Sequence, residues 1–346
     1  MRALIYEGPG KKSWSEAPNC VLQKPTDAIV RVTRTTICGV DLHIVEGDVP
    51  EVTVGRILGH EGVGIVEDVG PAVTSFKAGD HVIISCITSC GKCDACKKSM
   101  PSHCADGGWI LGRVIDGTQA DHVRIPHADG SLILVPPGAD EDALVMISDI
   151  LPTGFECGVL KGCVKPGDTI AIVGAGPVGL AALMTAQLYS PGVSIVIDVD
   201  DHRLEVAKRL GATNVINSAD GKAVLAVMSL TRGVGVDVAI EAVGVRASFA
   251  ICQDIVAPGG HLADVGAHGR SVELKMDTLW LRNITLTTRL VDAVSTSMLM
   301  KTVLSRKIHP RNLITHEYGL NETLKAYDVF GNATREKTLK VLLKAS

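Results

Sequence analysis

Short apolar runs, broken by glycine, proline and aspartate, fill the first part of the chain. Three clear examples are AIVRV (28–32), GVGIVEDV (62–69) and HVIIS (81–85). Runs of this length between turn-forming residues are typical of β-strands. The pattern therefore predicts an irregular β domain over residues 1–150.

From Asp168 onward the pattern changes, because apolar strands now alternate with helical segments. TIAIVGAGPVGLAALMTAQLY (169–189) predicts a strand, a glycine turn and a helix, in that order. A second helix is predicted at HRLEVAKRLGA (202–212). Further strands are predicted at SIVIDVD (194–200), TNVI (213–216), VDVAIEA (236–242) and HLADVG (261–266). This alternation predicts an α/β domain over residues 151–290, with a doubly wound parallel sheet. The mixed segment 291–346 is expected to rejoin the first domain.

Composition limits the class of protein further. The 346 residues suit two domains, and 46% hydrophobic with 21% charged residues is typical of a soluble globular protein. No apolar run approaches the roughly 18 residues that span a bilayer, and the N-terminus MRALIYEGPGKK lacks the features of a signal peptide. A cytoplasmic location is therefore expected. The net charge of −4 and the scattered Lys and Arg give no electrostatic reason to expect a nucleic-acid or membrane partner.

The stretch GAGPVG (174–179) fits the G-x-G-x-x-G pattern after a predicted strand and at the start of a predicted helix. In that context Gly174, Gly176 and Gly179 allow a tight turn, close approach of a pyrophosphate and close helix–strand packing. Pro177 suits the first helical turn, where no N–H is needed, and Val178 follows it. The simpler interpretation is a glycine turn that only closes the βαβ unit.

Asp198 ends the next predicted strand, about 20 residues past the glycine turn. A carboxylate at that position accepts hydrogen bonds from a ribose diol and repels a 2′-phosphate. Asp200 and Asp201 add to the repulsion. The sequence therefore favours NAD over NADP as the cofactor.

Ten cysteines in a reducing compartment are not expected to form a disulfide scaffold. Four of them, Cys90, Cys93, Cys96 and Cys104, have the spacing C-x2-C-x2-C-x7-C in a polar loop. Four thiolates this close can surround one zinc ion tetrahedrally and leave no position for a substrate, which indicates a structural site. An iron–sulfur cluster also uses four cysteines, but its usual run has x2, x2 and x3 spacings before a proline.

A second candidate metal site is less obvious from spacing. Cys38, His60, Glu61 and Asp149 carry ligand chemistry, but each is unremarkable when taken singly. A lone histidine is more often a satisfied core or surface group, and a lone cysteine is usually a small buried hydrophobe. Spacing alone does not show that the four side chains meet.

The chain resembles a known family in several motifs. GHEGVGIVEDVGPAV (59–73) matches the signature G-H-E-x2-G-x5-G-x2-V of the zinc-containing medium-chain alcohol dehydrogenases. CGVDLH (38–43), GDHV (79–82), the four-cysteine loop and the glycine turn are similar to that family's landmarks, so the resemblance covers essentially the whole chain. SDILPTGF (148–155) and GGWILGRVIDG (107–117) look most like the tetrameric bacterial secondary-alcohol dehydrogenases.

The resemblance implies a GroES-like catalytic domain, a Rossmann domain and a C-terminal return to the catalytic domain. Cys38, His60 and Asp149 would hold a catalytic zinc, with Glu61 as an adjacent carboxylate that can approach or replace the substrate position. The four-cysteine loop would hold a structural zinc. A homotetramer is implied as well.

Three further residues take roles only by this resemblance. Thr153 matches a position beside the nicotinamide, Trp109 a residue that lines the small alcohol pocket, and Arg203 a cation that contacts the adenosine ribose. Core packing is as good an account of the tryptophan, because aromatic residues fill both kinds of site. An isolated arginine on a helix is more often a solvated charge.

Two departures from the family matter. Most clostridial-type relatives are NADP enzymes with a Gly-Ser-Arg stretch after the second strand, where this chain has Asp198. The family also carries a serine or threonine two residues after the zinc cysteine, which passes the alcohol proton towards a ribose hydroxyl and a histidine. Here His43 occupies the histidine position, but Val40 replaces the hydroxyl.

The sequence thus predicts an NAD-dependent zinc dehydrogenase that interconverts small, preferably secondary, alcohols with ketones or aldehydes. A formaldehyde-type dehydrogenase or dismutase is the alternative enzyme, since SDILPTGF resembles that branch too. A zinc- and NAD-binding module with weak turnover is the alternative from another class, and Val40 is the feature that favours it.

Overall fold

The computed structural model describes residues 1–345. In chain order, its strands are β1 (Arg2–Tyr6), β2 (Lys12–Glu16), β3 (Ala28–Thr36), β4 (Gly62–Val69), β5 (His81–Ile84), β6 (His122–Ile125), β7 (Leu132–Leu134), β8 (Thr169–Val173), β9 (Val193–Asp198), β10 (Asn214–Asn217), β11 (Val236–Glu241), β12 (Val256–Asp264), β13 (Thr285–Thr288), β14 (Ile314–Gly319) and β15 (Lys340–Lys344).

The helices, again in chain order, are α1 (Gly39–Glu46), α2 (Asp94–Lys97), α3 (Ala128–Ser131), α4 (Glu141–Leu144), α5 (Ile150–Pro152), α6 (Pro177–Ala186), α7 (Asp201–Arg209), α8 (Ala223–Leu230), α9 (Arg246–Ile255), α10 (Met276–Leu279), α11 (Thr296–Leu304), α12 (Thr323–Gly331) and α13 (Ala333–Glu336). A π-helical segment, Thr153–Leu160, follows α5 directly. Short 3-10 turns lie at Pro101–His103, Val145–Ile147, Gln187–Tyr189, Trp280–Arg282, Pro310–Leu313 and Leu320–Glu322.

The chain forms two compact units. The first comprises Met1–Asp149 together with the segment from Asp292 onward, and the second comprises Ile150–Val291. The chain therefore leaves the first unit immediately after Asp149 and returns to it at Asp292.

The first unit is built on a mixed sheet with strand order β14-β15-β3-β4-β5-β7, and β6 pairs with β3. Strand β15 runs antiparallel to β3, with Leu342 opposite Thr36. The last strand of the chain therefore lies against the strand that leads to Cys38. Alternate apolar residues such as Val30, Val32 and Val66 are buried in a core that excludes solvent.

The second unit is a six-stranded parallel sheet with strand order β10-β9-β8-β11-β12-β13. Its inner strands β8, β9 and β11 are mainly apolar runs because both of their faces are buried. The strand order reverses between β8 and β11, which creates the crevice where open α/β sheets bind ligands. The α/β class with a doubly wound parallel sheet is therefore confirmed.

Strand β12 and helix α7 have bounds that differ from the predicted ones. Strand β12 begins at Val256, before the predicted run HLADVG, because the intervening Pro-Gly-Gly is carried by a register shift against β11. Helix α7 begins at Asp201 and ends at Arg209, where the prediction ran from 202 to 212, because the Asp200 carboxylate accepts from the N–H groups of His202 and Arg203.

In residues 1–345 no single helix has both the length and the hydropathy needed to cross a bilayer, although the bent pair Glu141–Ile147 and Ile150–Leu160 meets that test jointly.

Candidate active site and metal centres

Cys38 is fixed at the start of α1 by a local hydrogen bond. It is the residue that precedes the helix, and its backbone N–H donates to Asp41 Oδ2 at 2.9 Å. The Asp41 carboxylate thus pairs a backbone N–H that the helix itself leaves unpaired. The local sequence therefore fixes where this short helix begins. The thiol therefore has a defined position at the end of β3.

The structure brings Cys38, His60, Glu61 and Asp149 together in the first unit, with one ligand atom of each within 4.8 Å of the others. Cys38 Sγ lies 4.0 Å from Asp149 Oδ2, and His60 Nε2 lies 3.4 Å from the same oxygen. Zinc bonds of 2.0–2.3 Å in tetrahedral geometry place ligand atoms roughly 3.3–3.8 Å apart. The sulfur, nitrogen and oxygen donors therefore fit a zinc ion.

Asp41 is a candidate positioning residue that the sequence analysis missed. It is buried, and its Oδ1 lies 3.5 Å from Nδ1 of His60. Burial alone would lower the pKa of His60, but the Asp41 charge and hydrogen bonds to Asp149, Asp41 and Cys38 raise that pKa well above its usual range. A carboxylate on the second ring nitrogen orients a metal-binding histidine. The signal was the aspartate within CGVDLH.

Glu61 is held by a buried partner that the sequence analysis also missed. Lys340 Nζ lies 2.5 Å from Glu61 Oε1, both side chains are 1% exposed, and Thr36 Oγ1 donates to Oε2 at 2.7 Å. Burial would lower the pKa of Lys340, but the Glu61 charge raises it. Lys340 also donates to the carbonyl of Ile37 at 3.1 Å. Both oxygens of Glu61 are thus engaged by protein groups.

Val40 and His43 both lie on α1. Val40 is half-buried and packs against an apolar cluster that includes Ile37 and Ile44. His43 is half-exposed, and its Nδ1 lies 3.0 Å from Asp48 Oδ2. The valine therefore fills its place by packing alone and offers no hydrogen bond.

Trp109 lies beside the candidate zinc site. Its ring centroid is 6.5 Å from that of His60, in an edge-to-face arrangement. The guanidinium carbon of Arg113 lies 4.8 Å from the same indole ring. The half-buried indole therefore contacts a candidate metal ligand and a cation at once.

The four-cysteine loop converges as the spacing predicts. The four sulfur atoms lie within 4.8 Å of one another; they belong to Cys90, Cys93, Cys96 and Cys104. Cys93 Sγ lies 3.5 Å from Cys96 Sγ. Backbone N–H groups of Ala105 and Cys96 lower the pKa of Cys93 to about 6, whereas burial and its thiol neighbours raise the pKa of Cys96 to about 12. Four crowded thiolates need a cation to ionise together, so this donor set fits zinc.

The glycine turn in the second unit shows which glycines the fold itself requires. Gly174 has φ +107°, and a Cβ at Gly179 would lie 1.9 Å from the carbonyl oxygen of Gly174. A Cβ at Gly176 would meet no protein atom within 4 Å. Gly176 precedes α6, and Pro177 and Val178 are its first two residues. The space above Gly176 therefore fits a phosphate group against the helix N-terminus.

Asp198 lies next to the glycine turn. Its Oδ2 accepts from the N–H of Ala175 at 2.6 Å and its Oδ1 from Asp200 at 3.0 Å. A carboxylate has about four acceptor positions, so two remain for a ribose diol.

Arg203, on α7, has a buried Nε without a hydrogen-bond partner. Thr153 is the first residue of the π-helical segment.

Comparisons with known proteins agree with this architecture. Residues 24–137 match the family model described as alcohol dehydrogenase GroES-like domain, and residues 177–305 match zinc-binding dehydrogenase. The chain is 35% identical to an alcohol dehydrogenase of Cupriavidus necator, over 99% of this chain and 98% of that protein. It is 33% identical to the NADP-dependent isopropanol dehydrogenase of Thermoanaerobacter brockii, over 100% of both chains.

Solved structures give the same result. The zinc-dependent alcohol dehydrogenase 2 from Streptococcus pneumonia, in its apo form, has a TM-score of 0.96 and 51% identity over 100% of this chain and 99% of that chain. The alcohol dehydrogenase TADH from Thermus sp. ATN1 has a TM-score of 0.93 and 33% identity over 100% of both chains. The GroES-like and Rossmann assignments are therefore confirmed. The chain belongs to the zinc-containing medium-chain alcohol dehydrogenase family, and its function is that of a zinc-dependent alcohol dehydrogenase.

Proposed function

We propose that this chain oxidises small secondary alcohols to ketones with NAD, at a zinc held by Cys38, His60 and Asp149. The observation that carries the proposal is the convergence of one sulfur, one nitrogen and one oxygen donor within bonding reach of a single ion. Three protein ligands leave a fourth position open for substrate, as catalytic zinc sites require. When bound, the zinc supplies Lewis-acid chemistry that lowers the pKa of an alcohol.

Neighbouring protein groups hold the proposed metal ligands in position. The Asp41 carboxylate faces Nδ1 of His60 at 3.5 Å, and Nε2 faces the neighbouring ligands. Lys340 and Thr36 hold the Glu61 carboxylate, so that its negative charge is balanced inside the protein. In this proposal Glu61 is a reserve ligand that must leave Lys340 before it can approach the metal. Trp109 provides an apolar wall for the substrate.

For the cofactor we propose NAD. Gly174, Gly176 and Gly179 shape the pyrophosphate cradle at the start of α6, and the Asp198 carboxylate receives the adenosine ribose diol. When bound there, NAD would supply the hydride acceptor. One relative is NADP-dependent, so membership of the family does not by itself decide the cofactor, and the support for NAD is the acid at position 198. Arg203 and Thr153 are proposed as contacts to the ribose and the nicotinamide.

The proton released from the alcohol needs an alternative route in this chain. Val40 has no proton to donate and no lone pair to accept one, whereas His43 is half-exposed and paired with Asp48. We propose that water takes the place of the missing hydroxyl and that proton release is slower as a result.

We also propose a homotetramer located in the cytoplasm. Strand β13 is the last strand of its sheet, so one of its edges is unpaired within the described chain. Trp280 and Leu281, which precede it, are 66% and 67% exposed. Open edges and exposed aromatic residues are features of subunit interfaces. Light scattering after gel filtration should give the mass of four chains.

An absorbance assay for reduced cofactor tests the function. Isopropanol, secondary butanol, ethanol and formaldehyde are each supplied with NAD or NADP, before and after zinc chelation. The proposal expects the highest kcat/KM for a secondary alcohol with NAD, and loss of the rate on chelation. Faster turnover of formaldehyde, or a preference for NADP, would contradict it.

A further inference from the structure

Arg113 is a cation close to the proposed site that is not one of its ligands. Its guanidinium carbon lies 4.8 Å from the ring centroid of Trp109, and Trp109 lies 6.5 Å from the His60 ring. One indole ring is therefore the neighbour of both a proposed zinc ligand and a cation.

The charge of Arg113 is only partly balanced by the described residues. Its one carboxylate partner is Glu51, whose Oε1 lies 3.6 Å from Nη2, beyond hydrogen-bond length, and whose side chain is 60% exposed. The Arg113 side chain is 29% exposed, and its Nε is buried without a hydrogen-bond partner. Elsewhere in the same unit, Arg34 donates to Asp142 at 2.6 Å. Because Nε of Arg113 is buried, the terminal N–H groups are the donors that an anion from outside the protein can reach, and the 3.6 Å contact with Glu51 leaves Nη2 available.

We propose that Arg113 is a specificity-determining residue that receives the carboxylate of a short hydroxy acid or oxo acid. This inference rests on the proposed function, because it places the reacting carbon–oxygen group at Cys38, His60 and Asp149. In the oxidation, the carbinol carbon gives a hydride to NAD, the hydroxyl proton goes to water, and the alcohol becomes a ketone. The substrate carboxylate takes no part in these bond changes.

The chemistry of the side chains defines the ligand class. A guanidinium offers paired N–H donors that match a carboxylate in two parallel hydrogen bonds. Trp109 is the neighbour of both the His60 ring and the guanidinium, so the proposal calls for a substrate with only a few carbons between its reacting carbon–oxygen group and its carboxylate. Packing against the indole also holds the planar guanidinium in place, which reduces the cost of ordering it on binding.

Two ketones of equal chain length test the inference. Levulinate and methyl propyl ketone differ by a carboxylate in place of a terminal methyl group. The measured quantity is the ratio of their kcat/KM values with NADH, in the wild type, Arg113→Met, Arg113→Lys and Arg31→Gln. Arg31 is the control, because it is a surface cation paired with Glu67 at 3.1 Å.

The wild type should favour levulinate, and Arg113→Met should lower the ratio by roughly ten- to hundredfold, which is the effect of losing a charged hydrogen bond. Arg113→Lys should recover part of the ratio, and Arg31→Gln should leave it unchanged. An equal ratio in the wild type and Arg113→Met would overturn the inference. So would an equal loss in Arg31→Gln, since the effect would then be one of net charge.

A binding measurement separates this inference from the proposed function. Calorimetric titration of levulinate into the zinc-loaded protein should show binding to the wild type and at least tenfold weaker binding to Arg113→Met. If neither ketone is reduced but this difference appears, the proposed function fails and Arg113 stands as an anion-binding residue. Equal affinity in the two proteins overturns the role of Arg113 whatever the turnover.

Discussion

At the scale of one residue, Lys340 shows how much a single buried charge contributes to the stability of the fold. It is 1% exposed, and its ammonium group contacts Glu61 and the carbonyl of Ile37. Removal of one member of a buried ion pair leaves the other charged and unpaired, which is far more costly than removal of both.

Lys340→Met should therefore lower the free energy of unfolding by about 3–5 kcal/mol. The double variant Lys340→Met, Glu61→Gln should recover most of that loss, because no buried charge remains. Urea unfolding of the three proteins is the measurement. A double variant as unstable as the single one would show that packing of the lysine stem, and not the charge pair, is what matters.

Val40 tests the proton route. Threonine has the same shape as valine and adds the hydroxyl, so Val40→Thr should raise kcat for isopropanol about tenfold, most strongly near neutral pH. The control is Val69→Thr, at a partly buried position in a different cluster of the same unit. The pH–rate profile decides the outcome: an unchanged profile in Val40→Thr would contradict a relay through this position.

At the scale of structural elements, the turn between β8 and α6 contains one glycine that the fold requires and one that the proposed cofactor site requires. A methyl group at Gly179 would overlap the carbonyl of Gly174, whereas a methyl group at Gly176 meets only open space. Gly176→Ala should cost about 1 kcal/mol of stability or less and should weaken NAD binding at least tenfold.

Gly179→Ala is the matched variant, and it should lower the free energy of unfolding by about 2 kcal/mol or more. Thermal unfolding and NADH fluorescence titration measure the two quantities separately. If Gly176→Ala binds NAD as tightly as the wild type, the cradle lies elsewhere.

Asp142 joins several elements of the first unit. Its carboxylate accepts from Arg34 on β3 at 2.6 Å, from Arg311 at 2.9 Å and from Lys344 on β15 at 3.0 Å. Burial alone would raise the pKa of Asp142, but the hydrogen bonds from Arg34 and Lys344 lower it below 3.8. The return segment is thus held to the first unit by a charged contact as well as by the sheet.

A lowered folded-state pKa means that this stabilisation is present above the unfolded pKa and is lost as pH falls through the folded value. Asp142→Asn should therefore cost about 2 kcal/mol at neutral pH, and its difference from the wild type should shrink as pH falls below 3.8. Asp328→Asn, at an exposed site on α12, is the control. Denaturant unfolding at several pH values should show convergence for Asp142→Asn alone.

At the scale of the whole molecule, local patterns predicted most of the fold. The inner strands β8, β9 and β11 of the second unit are mainly apolar runs, so they could be recognised directly, whereas the short edge strand β13 (TLTT) carries no such signal. The start of β12 could not be recognised, because Pro258, Gly259 and Gly260 have the composition of a turn, and the strand continues across them because Val256 and His261 on either side pair with β11.

The candidate site was predictable only where a motif marks it. The four-cysteine loop has a recognisable spacing, and Cys38 and His60 lie in stretches that resemble a known family, whereas Lys340 lies 279 residues from Glu61. Strand β15 carries it there by pairing with β3, and no local pattern encodes that contact. Arg113 likewise lies in no motif that marks it, and only the structure shows that it stacks on Trp109.

The central claim is that Cys38, His60 and Asp149 hold a zinc on which alcohol oxidation depends. Zinc content per chain, measured together with isopropanol oxidation in the wild type and Cys38→Ala, tests it most directly. The account predicts two zinc ions in the wild type, one in Cys38→Ala, and at least a roughly thousandfold lower rate in that variant. A Cys38→Ala protein that keeps both zinc ions, or that keeps its rate with one, would contradict it.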